Sequence, residues 1–278
     1  MVQRKPLKKN SPAVSIIMPA YNAEKYIEDA IESILNQTYR NFEFIIGDDC
    51  STDKTWDIIK KFAEKDNRII AFRNKKNLYI AGNRNALLRH AGGHFIAWQD
   101  ADDISLPTRI ERQYKFMKNH PDVGITGGYL QFFSGNKNYG IRKYDSGDRE
   151  LRKKIFRYSP VAQPSSMIRR SCFDAVGYYD LKYPPAEDID MSFRIGEKYK
   201  FANLPEVVLR YRESNDSATY KRVKFILRTT ILIRKKYWNS MAYSPSTLDV
   251  FYNFLQSIIL YLLPPRIIIL IFNLYRNS

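Results

Sequence analysis

Three short apolar runs, each closed by acidic or turn-forming residues, constrain this 278-residue chain more than any other feature. Residues 14–18 (VSIIM) stop at Pro19, residues 42–46 (FEFII) stop at Gly47, Asp48 and Asp49, and residues 94–98 (HFIAW) stop at Gln99 and Asp100. Runs of this length and composition are strands buried in a sheet. Helical spacing fills the gaps between them. Residues 24–37 place Tyr26, Ile27, Ala30, Ile31, Ile34 and Leu35 on one face. After the capping residues 49–53 (DCSTD), Trp56, Ile59 and Phe62 form a second stripe, and Leu106 with Pro107 opens a third helix that runs through Met117. Strands alternating with helices predict an α/β fold, Rossmann-like, with a mostly parallel sheet and flanking helices. Ligands of such sheets bind beyond the carboxyl ends of the strands, where Asp48, Asp49, Asp100, Asp102 and Asp103 fall.

Asp100, Asp102 and Asp103 repel one another, and burial raises their pKa values unless a cation or hydrogen bonds compensate. In extended backbone Asp100 and Asp102 point to the same side, so they can share one hard divalent ion, Mn²⁺ or Mg²⁺; no neighbouring His or Cys argues for zinc. Asp103 is the member of the three expected to be structural. A polar loop with helix-capping aspartates would explain the same spacing, and capping alone would also explain residues 48–53. Glu187 and Asp188 open a further helix. Acids there either complement the helix dipole or set a general base on a rigid helix start.

A hydrophobic content of 44% builds a real core and excludes disorder as the main state. The net charge of +16 is concentrated at the ends. Residues 1–10 carry Arg4, Lys5, Lys8 and Lys9 with no acid, and residues 217–278 carry nine Lys or Arg against Asp249 alone. A nearly balanced body, residues 13–216, therefore stands between a basic arm, residues 1–12, and a basic, apolar helical tail, residues 217–278. Residues 220–238 form a basic helix-like stretch. The apolar runs at 251–263 and 266–275, divided by Pro264 and Pro265, fall short of the roughly 20 residues that a spanning helix needs. Interfacial helices on an anionic membrane are expected; the alternative is a cover for the body or for a second subunit of a homo-oligomer. No nucleic-acid recognition motif accompanies the basic charge, so nucleic acid is not an expected partner. Cys50 and Cys172, without CxxC spacing, point to neither a disulfide framework nor a thiolate metal site. With no signal-peptide core behind the N-terminal charges, the expected location is cytoplasmic and peripheral on the inner face of the membrane.

Five segments in order, residues 14–22 (VSIIMPAYN), 31–39 (IESILNQTY), 48–53 (DDCSTD), 100–107 (DADDISLP) and 186–190 (AEDID), together resemble glycosyltransferase family 2, a group of inverting enzymes with the GT-A fold. The resemblance implies that Pro19 and Tyr21 border the nucleotide base and that Asp49 accepts a hydrogen bond from it, uridine being the usual base. It implies that Asp100 lies by the ribose and the metal, that Asp102 binds the metal directly, and that Asp188 is the base that activates the acceptor hydroxyl. Arg84 matches a family arginine near the nucleotide. Tyr79, Asn83 and Leu87 stand where the family often has glycine or a small residue, so a surface salt bridge is an equal alternative for Arg84. The QxxRW segment and spanning helices of processive synthases do not appear, and residues 201–212 resemble the non-processive branch. Arg210 and Arg212 there either face the diphosphate or lie solvated on an edge strand. The implied activity is transfer of a sugar from a nucleotide-sugar, a UDP-sugar by family habit, to an acceptor hydroxyl on a saccharide or lipid-linked saccharide in cell-surface glycan assembly. One displacement with one base inverts the anomeric carbon, and no second carboxylate is assigned as a nucleophile. The alternative is a non-catalytic nucleotide-sugar-binding or scaffold protein on the same fold.

Overall fold

The computed structural model describes residues 12–213 and 222–268. The basic arm, residues 214–221 and the end of the second apolar run lie outside them. Strands β1 (Val14–Ala20), β2 (Phe42–Asp48), β3 (Ile69–Arg73) and β4 (Phe95–Trp98) pair in parallel, β1 lying between β2 and β4. Their alternate residues go to opposite faces, as the pleat requires. Val14, Ile16, Met18, Phe44 and Ile46 pack with helices α1 (Ile27–Leu35) and α2 (Thr55–Lys65), whereas Ile17 and Ile45 join a second cluster containing Leu87 and Leu88 of α3 (Tyr79–His90). The uninterrupted apolar runs therefore reflect burial on both sides.

Past β4 the sheet becomes mixed. Strand β5 (Ile104–Ser105), β6 (Val123–Ser134), β7 (Lys137–Arg142), β8 (Met167–Arg169) and β9 (Lys200–Arg212) complete nine strands in the order β3-β2-β1-β4-β8-β6-β9-β5, with β7 hydrogen-bonded to β6. Strand β8 is antiparallel to both β4 and β6, and β9 is parallel to β6. A two-residue strand such as β5 has no period to detect; it exists because β9 offers it a partner. That pairing also delays helix α4, which begins at Arg109 (Arg109–Asn119) rather than at Leu106. Helix α1 is likewise shorter than its apolar spacing. Residues 24–26 are drawn into a turn fastened to the β2–α2 loop (Glu24 N to Asp53 Oδ2, 3.1 Å; Lys54 N to Glu24 Oε2, 3.0 Å), and Gln37 turns back to donate to Ser33 O and Leu106 O.

Helices α5 (Asp148–Lys154), α6 (Arg170–Val176) and α7 (Glu187–Gly196) cover the second face. The tail contributes α8 (Val223–Lys236) and α9 (Thr247–Leu262). Ile233 of α8, with Tyr237 and Tyr243 behind it, enters the same core as Phe156 and Phe193, and Tyr237 stacks on Phe193 at 4.6 Å. Helix α9 is inverted relative to an ordinary surface helix. Its buried residues are Asp249 and Asn253, held by Arg157 (2.8 Å) and the Phe156 carbonyl (2.9 Å), while Leu248, Phe251, Phe254, Leu255 and Leu262 are exposed. Among the described residues no helix is long and apolar enough to cross a membrane.

Candidate active site

The carboxyl ends of β1, β2 and β4 lie side by side, and the loops that follow β1 and β2 are pinned to one another. Asn22 and Cys50 take left-handed backbone (φ 49° and 64°), which turns the chain sharply after β1 and β2. Asn22 N donates to Ser51 Oγ (2.9 Å), Thr52 N donates to Asn22 Oδ1 (2.9 Å) and Ala23 N donates to Thr55 Oγ1 (2.7 Å). Tyr21, half exposed, follows β1, in which Pro19 lies. Asp49 is buried, and one of its oxygens already accepts from Asn74 Nδ2 and Leu78 N, both at 2.8 Å. Helix α3 approaches β2 closely: a Cβ on Gly47 would meet Leu87 at 2.9 Å and Asn83 at 3.0 Å, and Asn83 Nδ2 donates to the Gly47 carbonyl. The larger residues at 83 and 87 are thus accommodated by the missing side chain opposite.

The turn after β4 carries Asp100, Asp102 and Asp103 on a polar frame. Gln99 Nε2 donates to the carbonyls of Asp100 (3.0 Å) and Asp103 (2.8 Å), and Gln99 Oε1 accepts from Ser105 Oγ (2.6 Å) and Arg109 Nη1 (3.1 Å). Arg109, fully buried, also donates to the Trp98 carbonyl (2.6 Å), and burial lowers its pKa to about 10. Asp103 points inward and accepts from Arg212 N (2.8 Å), the structural role expected of it; burial raises it well above the usual carboxylate range. Burial and the charge of Asp100 push Asp102 up to about 6. A pair of crowded carboxylates at a strand end fits a hard divalent cation, which would relieve their repulsion. Among the described residues no three or more His, Cys, Asp or Glu side chains converge into a complete metal cage. Such a pair suits an ion completed by phosphate oxygens and water, the usual habit of Mg²⁺.

The first turn of α7 presents Glu187 and Asp188. Arg84 joins it to the turn after β4. It lies beneath the surface, 4% exposed, with Nη1 2.6 Å from Glu187 Oε1 and Nη2 3.9 Å from Asp100 Oδ1, and its guanidinium sits against the rings of Trp98 (5.4 Å) and Tyr179 (5.7 Å). A surface salt bridge is excluded for this residue, because both members of the pair are buried. Burial disfavours the charge on Arg84, but Glu187 and Asp100 hold its pKa above the ordinary value. Burial pushes Glu187 up to about 7 against the pull of Arg84, and Asp188 is raised by burial, also against Arg84. Asp188 is partly exposed, whereas Glu187 is buried.

A family model described as glycosyl transferase family 2 matches residues 15–177. The chain belongs to glycosyl transferase family 2. It is 34% identical over 260 residues to an uncharacterised glycosyltransferase of Methanocaldococcus jannaschii, covering 91% of this chain and 89% of that one. It is 50% identical over 211 residues to the Escherichia coli UDP-Glc:alpha-D-GlcNAc-diphosphoundecaprenol beta-1,3-glucosyltransferase WfaP, covering 76% and 77%. The fold matches the mannosyltransferase PcManGT from Pyrobaculum calidifontis, solved with GDP-Man and Mn²⁺, at TM-score 0.64 and 19% identity over 91% of this chain and 70% of that one. The GT-A architecture and glycosyltransferase activity follow.

In this family 2 glycosyltransferase the expected residues Pro19, Tyr21, Asp49, Asp100 and Asp102 lie at or just after the carboxyl ends of β1, β2 and β4, and Arg84 links Asp100 to the first turn of α7, which carries Asp188. Arg210 and Arg212 do not lie on an edge strand, because β9 runs between β6 and β5. Arg212 is buried against the aspartate turn, and Arg210 donates to Asn138 Oδ1 (3.1 Å) on β7. Sequence reasoning missed the Gln99–Ser105–Arg109 frame, although the i, i+4 spacing of Ser105, Arg109 and Gln113 on a helix start was a visible signal.

Proposed function

We propose that this enzyme transfers a hexose from a UDP-sugar to a hydroxyl of a lipid-linked saccharide, with inversion at the anomeric carbon. One observation carries this. Arg84 spans Asp100 and Glu187, so the nucleotide side and the helix that bears Asp188 form a single site. Pro19 and Tyr21 flank the base, and Asp49 meets it with the carboxylate edge not held by Asn74 and Leu78. Asp102, with Asp100, would hold Mn²⁺ or Mg²⁺, which when bound supplies positive charge to the donor diphosphate. Asp188 accepts the proton of the acceptor hydroxyl as its oxygen bonds to the anomeric carbon. The bond from that carbon to the diphosphate breaks, and UDP leaves. Arg84 sits behind these groups and tunes Asp188 through charge, without reaching the nucleotide.

The WfaP relative, which by name uses UDP-Glc and a diphosphoundecaprenol-linked sugar, supports this donor and acceptor class. The Mn²⁺ of the mannosyltransferase neighbour supports the ion. The outward apolar face of α9 supports peripheral attachment where a lipid-linked acceptor lies, on the cytoplasmic side of the membrane. The test is incubation with UDP-glucose, a synthetic GlcNAc-diphospho-lipid and Mn²⁺, with anomeric configuration read by NMR. A β-linked disaccharide product that disappears with EDTA is expected; an α-linked product, or transfer unaffected by EDTA, would overturn inversion or the metal respectively.

A further inference from the structure

Arg212 is the last residue of β9, 110 positions from the aspartate turn, yet it makes three separate hydrogen bonds toward that turn and its surroundings. Its backbone N–H donates to Asp103 Oδ1 (2.8 Å), its Nε donates to the Asp102 carbonyl (2.8 Å) and its Nη2 donates to Asp29 Oδ2 on α1 (3.2 Å). The guanidinium lies between the rings of Tyr26 and Phe133, each 4.5 Å away, and the side chain is only 10% exposed. A planar group held on both faces and at its edge has few rotamers left, so it fixes whatever it bonds.

The geometry points to Arg212 as the positioning residue of the metal-binding turn, setting the direction of the Asp102 carboxylate from behind. This rests on Asp102 being the metal ligand. Gln99, itself held by Arg109, braces the carbonyls of Asp100 and Asp103 from beneath, and neither side chain bonds to Asp102. Arg212 supplies the missing brace: it holds the Asp102 carbonyl and keeps Asp103 inward, which leaves Asp100 and Asp102 as the partly exposed carboxylates of the turn. Side chains that orient a metal ligand in this way affect metal affinity about 10–100-fold when removed.

The test compares wild type, Asp102→Asn, Arg212→Met, Arg212→Lys and Asp29→Ala by calorimetry of UDP binding over a Mn²⁺ titration, with urea unfolding as the control. In Arg212→Met the Mn²⁺ concentration for half-maximal tightening of UDP binding should rise about 10–100-fold, while UDP binding in EDTA stays unchanged. Arg212→Lys keeps the charge but not the planar fork, so it should shift in the same direction by less. Asp29→Ala, at an exposed anchor that cannot unfold the chain, should shift it a few-fold. If wild type shows Mn²⁺-dependent binding that Asp102→Asn loses, yet the Arg212 and Asp29 variants titrate like wild type, the positioning role is wrong. If even wild type binds UDP equally in EDTA, the metal assignment itself fails and takes this inference with it. Should Arg212→Met not fold, the Lys and Ala variants decide alone.

Discussion

Asp188 owes its chemistry to neighbours on other elements. Burial raises its carboxyl pKa and Arg84 lowers it; the proposed base works only when ionised, so kcat/KM should climb with pH through a limb lying above the ordinary Asp range near 4. Arg84→Met removes the cation that lowers Asp188, and the limb should move to higher pH. A pH–rate profile checks both; an unmoved limb would mean that Arg84 does not tune the base. Asp188→Asn should cost about 10²–10⁴ in turnover and leave UDP affinity nearly unchanged, measurable by transfer assay and calorimetry side by side. Wild-type turnover in a folded Asp188→Asn protein would move the role to Glu187, since Asp190 is buried and held by Arg194, Lys236 and Tyr237. Arg84→Met should also destabilise by about 3–5 kcal/mol in urea, because Glu187 would stay buried without its partner.

At the scale of elements, α9 breaks the usual rule. Its polar residues face the protein because Arg157, Arg234 and the Phe156 carbonyl need partners: Arg234 donates to Gln256 Oε1 (2.8 Å) and to the Arg157 carbonyl (2.6 Å). A capping box, Ser246 with Asp249, starts the helix firmly. The apolar side is then left outward, and Phe251 and Phe254 are each 61% exposed. Apolar rows of this kind on a basic tail suit the headgroup boundary of an anionic bilayer. Phe251→Ser with Phe254→Ser should therefore reduce co-sedimentation with anionic vesicles, while high salt should loosen the unaltered protein only in part, since screening spares the apolar contribution. Equal pelleting of the variant would make this face a protein interface. Arg157→Ala should cost about 1–3 kcal/mol by depriving Asp249 of its partner.

For the whole molecule, the tail helix α8 and α7 are one packed unit. Asp190, two residues after Asp188, is buried and accepts from Arg194 (2.7 Å), Lys236 (2.8 Å) and the Tyr237 hydroxyl (3.0 Å), which ties α7 to α8. A chain ended before α8 would uncover Phe193 and Phe156, so it should unfold at lower urea than the full chain. The candidate site also sets the pH dependence of stability. Asp102 at about 6 and Glu187 at about 7 bind protons more tightly folded than unfolded. Stability without metal should therefore fall as pH rises through this window. Urea midpoints at about pH 5.5 and about pH 7.5 test the sign, and UDP with Mn²⁺ should restore stability at the higher pH.

The alternation of apolar runs with helical stripes was enough to place β1, β2, β4 and the two first helices, and acids closing those strands marked the candidate site, because period and strand-end position are local properties of a chain. Tertiary structure decided what no local period encodes. Strand β5 forms only against β9, α9 turns its polar side inward only because arginines from elsewhere await it, and Arg84 meets Glu187 across 103 residues. Arg212 reaches the Asp102 carbonyl across 110 residues. Each of these depends on two distant segments being brought within hydrogen-bond reach, and the residue type alone, one arginine among many in a basic chain, does not say which partner burial will leave it.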